Sequence, residues 1–347
     1  MKVGIFLPNW VGDVVMATPT LRALRKRFGQ DATLIGIMKP FVTDVLAGTP
    51  WLNEMWVYDD QAADPTISWR AVVRRMYRAK FDIVVLLVNS FRPALMAWLA
   101  RARERVGYVR YRRGLLLTLK HDPPRLHGKW LPYPTLDYYL HLAYLLGAHA
   151  ESPKMELAVT QKDELAVDKV WKNLGLRSDG RVATFNSSGA FGAAKLWPDE
   201  YFAELARRIV TELEYDILIL CGPQERVRAA NIARLSESPR VFTLAEQHPS
   251  IGLSKACVRR SQLLVTTDSG PRHFAAAFDV PVISLFGPTH ISWSDTHYDK
   301  EIHLQIPLDC GPCQQRTCPL GHHRCMRDLS VERVYQAVGK ALTGTTG

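Results

Sequence analysis

Short continuous apolar runs alternate along the chain with stretches in which apolar residues recur every three to four positions. Runs over residues 3–8, 33–38, 55–58, 83–88 and 106–109 predict strands, and the periodic stretches 18–28, 68–79, 93–101 and 136–146 predict helices. Thr18 and Pro19 suit a helix cap and a first helical turn. The second half repeats the scheme. Strands are expected over 182–186, 217–221, 241–244, 263–267 and 282–286, helices over 198–213, 227–235, 251–260 and 271–278, and a last helix over 330–342. Strands that are apolar throughout, rather than at alternate positions, suit parallel sheets covered on both faces. The fold class is therefore α/β, with two Rossmann-like domains of open parallel sheet. Two such domains in tandem leave a cleft between their carboxyl strand ends, where ligands bind in sheets of this kind.

Two segments interrupt the winding. Residues 110–135 hold Arg110, Arg112, Arg113, Lys120, Arg125 and Lys129 with four prolines, and read as a long basic loop. Residues 147–161, with Ser152-Pro153, read as a linker. The expected domains are 1–155 and 156–329, with a C-terminal helical segment 330–347 packing back on the first domain. A length of 347 residues agrees with two domains, because single cores stop growing near 250–300 residues. Hydrophobic residues at 47% and charged residues at 22% exclude a disordered, collagenous or disulfide-stapled chain.

Charge separates the halves. Residues 1–150 carry 21 Lys+Arg and 11 Asp+Glu, whereas residues 151–347 carry 23 of each. Between Arg70 and Lys129 stand 15 basic residues against Asp82, Glu104 and Asp122. Such a field concentrates anions: a nucleic acid, an anionic membrane surface or an anionic glycolipid. No apolar run approaches the roughly 20 residues of a membrane span. The N-terminal run is broken by Pro8, Asn9 and Asp13 and precedes its basic cluster, which is not the order of a signal peptide. A cytoplasmic location with at most peripheral membrane contact is expected.

Three strand-to-helix junctions carry candidate chemistry. Pro8-Asn9-Trp10-Val11-Gly12-Asp13 puts a carboxylate after the first strand, suited to a general base or to an ordinary helix cap. It lacks the later glycines of a dinucleotide fingerprint. Ser187-Ser188-Gly189 followed by Lys195 offers hydroxyls, backbone N–H groups and an ammonium to a phosphate or diphosphate, or forms a plain connection. Thr267-Asp268-Ser269-Gly270-Pro271-Arg272-His273 opens another helix, whose N-terminus favours a diphosphate. Asp268 would repel one, so it is expected to accept from sugar hydroxyls or neighbouring backbone N–H groups. The alternative is a capping Asp-Ser pair with His273 packed on its helix.

Together these motifs resemble the ADP-heptose:lipopolysaccharide heptosyltransferases, and within them the heptosyltransferase II group. The resemblance covers nearly the whole chain. It rests on Trp10-Val11-Gly12-Asp13, Asn89-Ser90-Phe91, Phe191 through Pro198, and Asp268-Ser269-Gly270-x-x-His273 with Phe286-Gly287-Pro288-Thr289. It implies a GT-B fold and inverting transfer of a heptose from ADP-L-glycero-D-manno-heptose to the inner core of lipopolysaccharide. In that mechanism Asp13 is the base and Lys195 neutralises the leaving diphosphate. Ser187, Ser188, Gly189, Asp268, Ser269, Gly270 and His273 would hold the donor, and Glu225 would face its ribose. The acceptor would be an anionic, lipid-borne core at the inner face of a membrane. Asn9, Trp10, Arg92, Arg112, Arg113 and Lys120 are the acceptor candidates, the basic residues among them on charge and position alone. No DxD pair stands beside the donor motifs, so no cofactor is expected for catalysis.

Cys310, Cys313, Cys318 and Cys325 crowd together in the spacing C-x2-C-x4-C-x6-C, with His322 and His323 among them. This spacing suggests a structural zinc, although it contains only one C-x2-C pair. Other readings stand beside the leading one: a relative of the same family with a different acceptor, or a basic nucleic-acid-binding protein. The last lacks a recognisable binding motif, so no nucleic acid is expected.

Overall fold

The continuous apolar runs form parallel strands because both of their faces are covered. The computed structural model describes residues 1–126, 128–189 and 191–343. The chain divides into two compact units, Met1–Ala158 with Ser292–Thr296, and Val159–Ile291 with the residues from His297 onward.

The first unit is built on a sheet of order β3-β2-β1-β4-β5-β6. Its strands are β1 (Lys2–Phe6), β2 (Thr33–Met38), β3 (Glu54–Val57), β4 (Ile83–Leu86), β5 (Glu104–Tyr108) and β6 (Leu119–His121). All neighbours are parallel, and Val3 of β1 lies between Leu34 of β2 and Ile83 of β4. Its helices are α1 (Val11–Met16), α2 (Thr18–Phe28), α3 (Pro40–Leu46), α4 (Trp69–Ala79), α5 (Phe91–Leu99) and α6 (Thr135–Leu145). Helices α1, α2, α3 and α6 pack among themselves, and α4 packs on α5. The core beneath α4 and α5 joins Val72, Met76, Ala94, Met96 and Ala97 to Phe6, Ile35, Ile37, Trp56, Val84 and Leu86 of the sheet.

The second unit repeats the plan with order β11-β10-β9-β12-β13-β14. Here the strands are β9 (Val182–Asn186), β10 (Asp216–Leu220), β11 (Val241–Thr243), β12 (Leu263–Thr267), β13 (Val282–Phe286) and β14 (Glu301–Gln305). The helices are α7 (Gln161–Leu174), α8 (Asp199–Leu213), α9 (Arg226–Leu235), α10 (Ile251–Arg260), α11 (Gly270–Ala277), α12 (Arg324–Arg327) and α13 (Val331–Thr343). Strands β9, β10, β12 and β13 are buried at every position.

The structure corrects several expectations. Residues 110–135 are not a plain loop. A 3-10 turn at Arg113–Leu116, strand β6 and a two-stranded hairpin of β7 (Arg125–Leu126) and β8 (Lys129–Trp130) run through them. The turn is anchored by buried Arg113 and Leu117, which periodicity does not reveal. Thr18 does not cap its helix. The chain passes from α1 into α2 through Ala17, and the Thr18 hydroxyl donates back to the Val15 carbonyl at 2.7 Å. Helix α13 packs on α8 and β13, burying Val331, Val334, Ala337 and Val338.

Candidate active site

In each sheet the chain leaves the central strand in one direction and later returns to its other side. The reversal falls between β1 and β4 in the first unit and between β9 and β12 in the second. The crevice outside the carboxyl ends of such strands is where open α/β sheets bind ligands. The sequence motifs lie at these ends.

In the second unit, Asn186 closes β9 and donates to Thr266 Oγ1 at 2.9 Å and to Ser269 Oγ at 2.6 Å, which ties the two strand ends together. Thr267 Oγ1 donates to the Ser188 carbonyl. Ser269 stands at the N-cap position of α11 without a side-chain capping bond, and Gly270 is the first residue of the helix. Lys195 sits on a 3-10 turn, Ala193–Lys195, and is buried. Its Nζ donates to Asp268 Oδ2 at 2.5 Å and to the Asp268 carbonyl at 2.9 Å. Thr289 Oγ1 donates to the same carboxylate oxygen at 2.7 Å. The side chain of Asp268 is therefore the counter-ion of Lys195, and among the described residues its recorded hydrogen-bond donors are Lys195 and Thr289 rather than backbone N–H groups.

A second cation stands behind the first. Arg272 Nη1 lies 3.6 Å from Asp268 Oδ1, and the other side of the guanidinium holds Glu301 through Nε and through Nη2 at 3.0 Å. Ser284 Oγ also donates to Glu301, and His303 Nε2 lies 3.3 Å from it. The side chains of Arg272 and Glu301 are almost wholly buried. Burial alone would raise both carboxyls. The Lys195 and Arg272 charges nevertheless hold Asp268 below the usual carboxylate range, and Arg272 with His303 holds Glu301 well below it. The result is a buried row of alternating charge, Lys195–Asp268–Arg272–Glu301. Glu301 and Thr289 received no role from the sequence. Arg272 was visible inside its motif, but without its partner it gave no sign of burial.

His273 is buried, and burial, with Arg272 next, pushes its imidazole down to about 3, so it is neutral near pH 7. Its Nδ1 and the Ser187 hydroxyl are buried without a hydrogen-bond partner among the described residues. Buried polar atoms are ordinarily paired, and two orphans at one strand-end crevice fit a site completed by a ligand. Gly189 packs so closely that a Cβ there would lie 2.5 Å from Leu196 Cδ2. Glu225, after β10, accepts from the Gly222 N–H at 2.7 Å through Oε2.

The turn that carries Lys195 is braced by the cysteine-rich segment. The Ala194 N–H donates to the Arg316 carbonyl at 3.0 Å, and His323 Nε2 donates to the Ala194 carbonyl at 2.7 Å. Gly192 allows this approach, since a Cβ there would lie 2.4 Å from the Arg316 oxygen. Cys310, Cys313, Cys318 and Cys325 are free thiols. Burial, and then the neighbouring thiols, push Cys325 up to about 11. Among the described residues no group of three or more His, Cys, Asp or Glu is arranged to hold a metal ion.

In the first unit, Asp13 lies in the first turn of α1, and Trp10 precedes the helix. Asp13 Oδ1 accepts from Tyr139 Oη at 3.3 Å, a partner 126 positions away. Burial, and then the Asp13 charge, push the Tyr139 phenol well above its ordinary value, so it stays a donor to the carboxylate. Asn9, Trp10, Arg92, Arg112 and Lys120 are exposed, and Arg92 pairs with Asp60. Arg113 departs from its expected place. It is fully buried, and its guanidinium donates to the carbonyls of Val88 and Tyr108 and to Asn89 Oδ1, which also accepts from Tyr138 Oη at 3.1 Å. Burial pushes this guanidinium down to about 10. Arg113 thus positions the end of β4 and does not face an acceptor.

The profile of glycosyltransferase family 9 (heptosyltransferase) matches residues 69–324. A lipooligosaccharide heptosyltransferase 2 of Campylobacter jejuni is 27% identical over 340 residues, which cover 97% of each chain. Among solved structures, a family 9 glycosyl transferase of Veillonella parvula superposes with a TM-score of 0.84 at 22% identity, covering 99% of this chain and 97% of the other. The ADP-heptose lps heptosyltransferase II of E. coli superposes with a TM-score of 0.80 at 21% identity over the whole of both chains. These likenesses establish the fold as GT-B.

Proposed function

We propose a function from one premise: the chain belongs to glycosyltransferase family 9, the heptosyltransferases, and is a glycosyltransferase. It moves a heptose from ADP-L-glycero-D-manno-heptose to the inner core of lipopolysaccharide, in the manner of a heptosyltransferase II. The observation that carries the reading is the buried Lys195–Asp268 pair at the β9/β12 strand ends, with Ser187 and His273 unpartnered beside it.

The chemistry is a single displacement. The acceptor hydroxyl attacks the anomeric carbon, and its proton passes to Asp13, which Tyr139 orients. The new glycosidic C–O bond forms as the bond to ADP breaks, with inversion. Charge develops on the departing diphosphate, where the Lys195 ammonium and the backbone N–H groups that open α11 stabilise it. Arg272 keeps Asp268 paired when Lys195 turns to the diphosphate, so no buried carboxylate is left uncompensated. Asp268, Ser269 and Gly270 line the donor side, with Glu225 toward the ribose. Asn9, Trp10, Arg92, Arg112 and Lys120 meet the anionic acceptor at the inner face of the cytoplasmic membrane.

Calorimetric titration with ADP, GDP and UDP, on the wild type and on Lys195→Ala, tests the reading. Saturable binding confined to ADP and weakened about tenfold or more by the substitution is expected, from loss of a charge-assisted bond. Equal binding of the three nucleotides would overturn it.

A further inference from the structure

Helix α5 is apolar nearly all round. Pro93, Ala94, Met96 and Ala97 face the core. At 100° per residue, Phe91, Leu95, Trp98 and Leu99 form a second apolar stripe on the opposite side. Core packing does not account for it. Phe91 is 45% exposed and Trp98 49%, with Leu99 also open to solvent. The neighbouring turn adds Tyr111 and Leu115, the latter 95% exposed, and this turn packs on α5.

Helix α4, which packs beside α5, shows a stripe at the same spacing and of a different kind. Val72 and Met76 are buried, while Arg70, Arg74, Tyr77 and Arg78 face outward. Among the described residues, Arg70, Arg74 and Arg78 have no ion-pair partner. Arg101, just after α5, lies over the Tyr77 ring at 5.6 Å and joins the two stripes.

We propose that this outer face of α4 and α5, with the turn at 111–116, docks on an anionic lipid bilayer. An apolar stripe flanked by arginines matches the boundary between acyl chains and anionic headgroups. Leucines exposed to this degree do not suit a nucleic acid, which is read by charge and aromatic stacking. A second copy would set two strongly basic faces against each other. Phe91, Arg92 and Arg112 follow the carboxyl ends of β4 and β5, the same sheet edge as Asp13, so a lipid-borne acceptor is presented at that edge. The inference deepens the functional reading and rests on it for the acceptor alone.

The test is co-sedimentation of the full chain with phosphatidylcholine vesicles, with and without phosphatidylglycerol. The expected result is binding that needs the anionic lipid and weakens with salt. Arg74→Gln with Arg78→Gln should weaken it about fivefold per arginine. Trp98→Ser with Leu99→Ser should weaken it about tenfold or more, at high salt as well. These positions are exposed, so unchanged thermal unfolding of both variants is expected and checks that they fold. Equal binding to neutral vesicles, or no effect of either variant, would overturn the proposal. So would a dimer dissolved by the Trp98 variant, or an oligonucleotide that competes with the vesicles. ADP titration on the same proteins separates the outcomes: lost ADP binding sinks the donor-site reading, and lost vesicle binding with ADP intact sinks only the docking face.

Discussion

At the carboxyl end of β1 stand a carboxylate, Asp13, and the phenol hydrogen-bonded to it, Tyr139. At the carboxyl end of β9 they are four alternating charges in a buried row, Lys195, Asp268, Arg272 and Glu301. The two sheets share one strand order, so topology chooses the place but not the chemistry. Among the described residues, the first unit carries unpaired charge on its outside, as Arg70, Arg74 and Arg78 on α4, while its buried Arg113 is held by carbonyls and an amide rather than by a carboxylate. The second keeps its charge within, balanced to zero around the lysine. A buried ammonium needs counter-ions in place before its substrate arrives, whereas a surface that meets polyanions gains from being left unbalanced.

The contrast can be broken by substitution. The largest effect is expected from Asp13→Ala. Transfer should fall by about 10²–10⁴-fold or below detection, while calorimetry still shows ADP binding. Retained turnover would make Asp13 a structural residue. Next is Glu301→Gln. It leaves Arg272 without its carboxylate in a dry site and should cost about 3 kcal/mol or more by denaturant unfolding. A change under about 1 kcal/mol would mean that water reaches the pair. The third is a pH effect. His273 has a folded value near 3 against about 6.5 unfolded, so the unfolded chain binds the extra proton between these values. Stability should therefore fall as pH drops from about 6.5 toward 3. Asp268 and Glu301, whose folded values are depressed, add a further loss only below about pH 4. In His273→Gln the fall of the melting temperature between about pH 6.5 and 4 should be smaller, with the part owed to His141, which burial also holds low, remaining, and an unchanged profile would refute the assignment. The smallest is Arg92→Ala. It breaks an exposed pair with Asp60 and should change stability by less than about 1 kcal/mol.

What could be read in advance follows the same division. Strand β13 is apolar at four of its five positions and β9 and β12 at three of five, in unbroken runs or with only Thr184 between, and their residues announce them. Strand β14 escaped because Glu301-Ile302-His303-Leu304-Gln305 is half polar. It is a strand because β13 pairs with it, and Glu301 stayed hidden with it. Arg113 was misplaced because arginines ordinarily face water, and only the carbonyls gathered around it show otherwise. Tyr139 lies on a helix that was foreseen, but no local pattern links it to Asp13. Lys195, Asp268 and His273 were legible as types at strand ends. Their pairing was not, since it depends on side chains 73 positions apart.

The brace on the Lys195 turn has a thermodynamic consequence. A lysine on a free loop would have to lose backbone and rotamer freedom each time a nucleotide arrived. Here Arg316 and His323 fix the turn on both sides of Ala194, so that entropy is surrendered once, during folding. Under the donor role proposed for Lys195, nucleotide association carries a smaller entropic penalty, and cutting the brace by His323→Ala should appear as a less favourable binding entropy with nearly unchanged enthalpy.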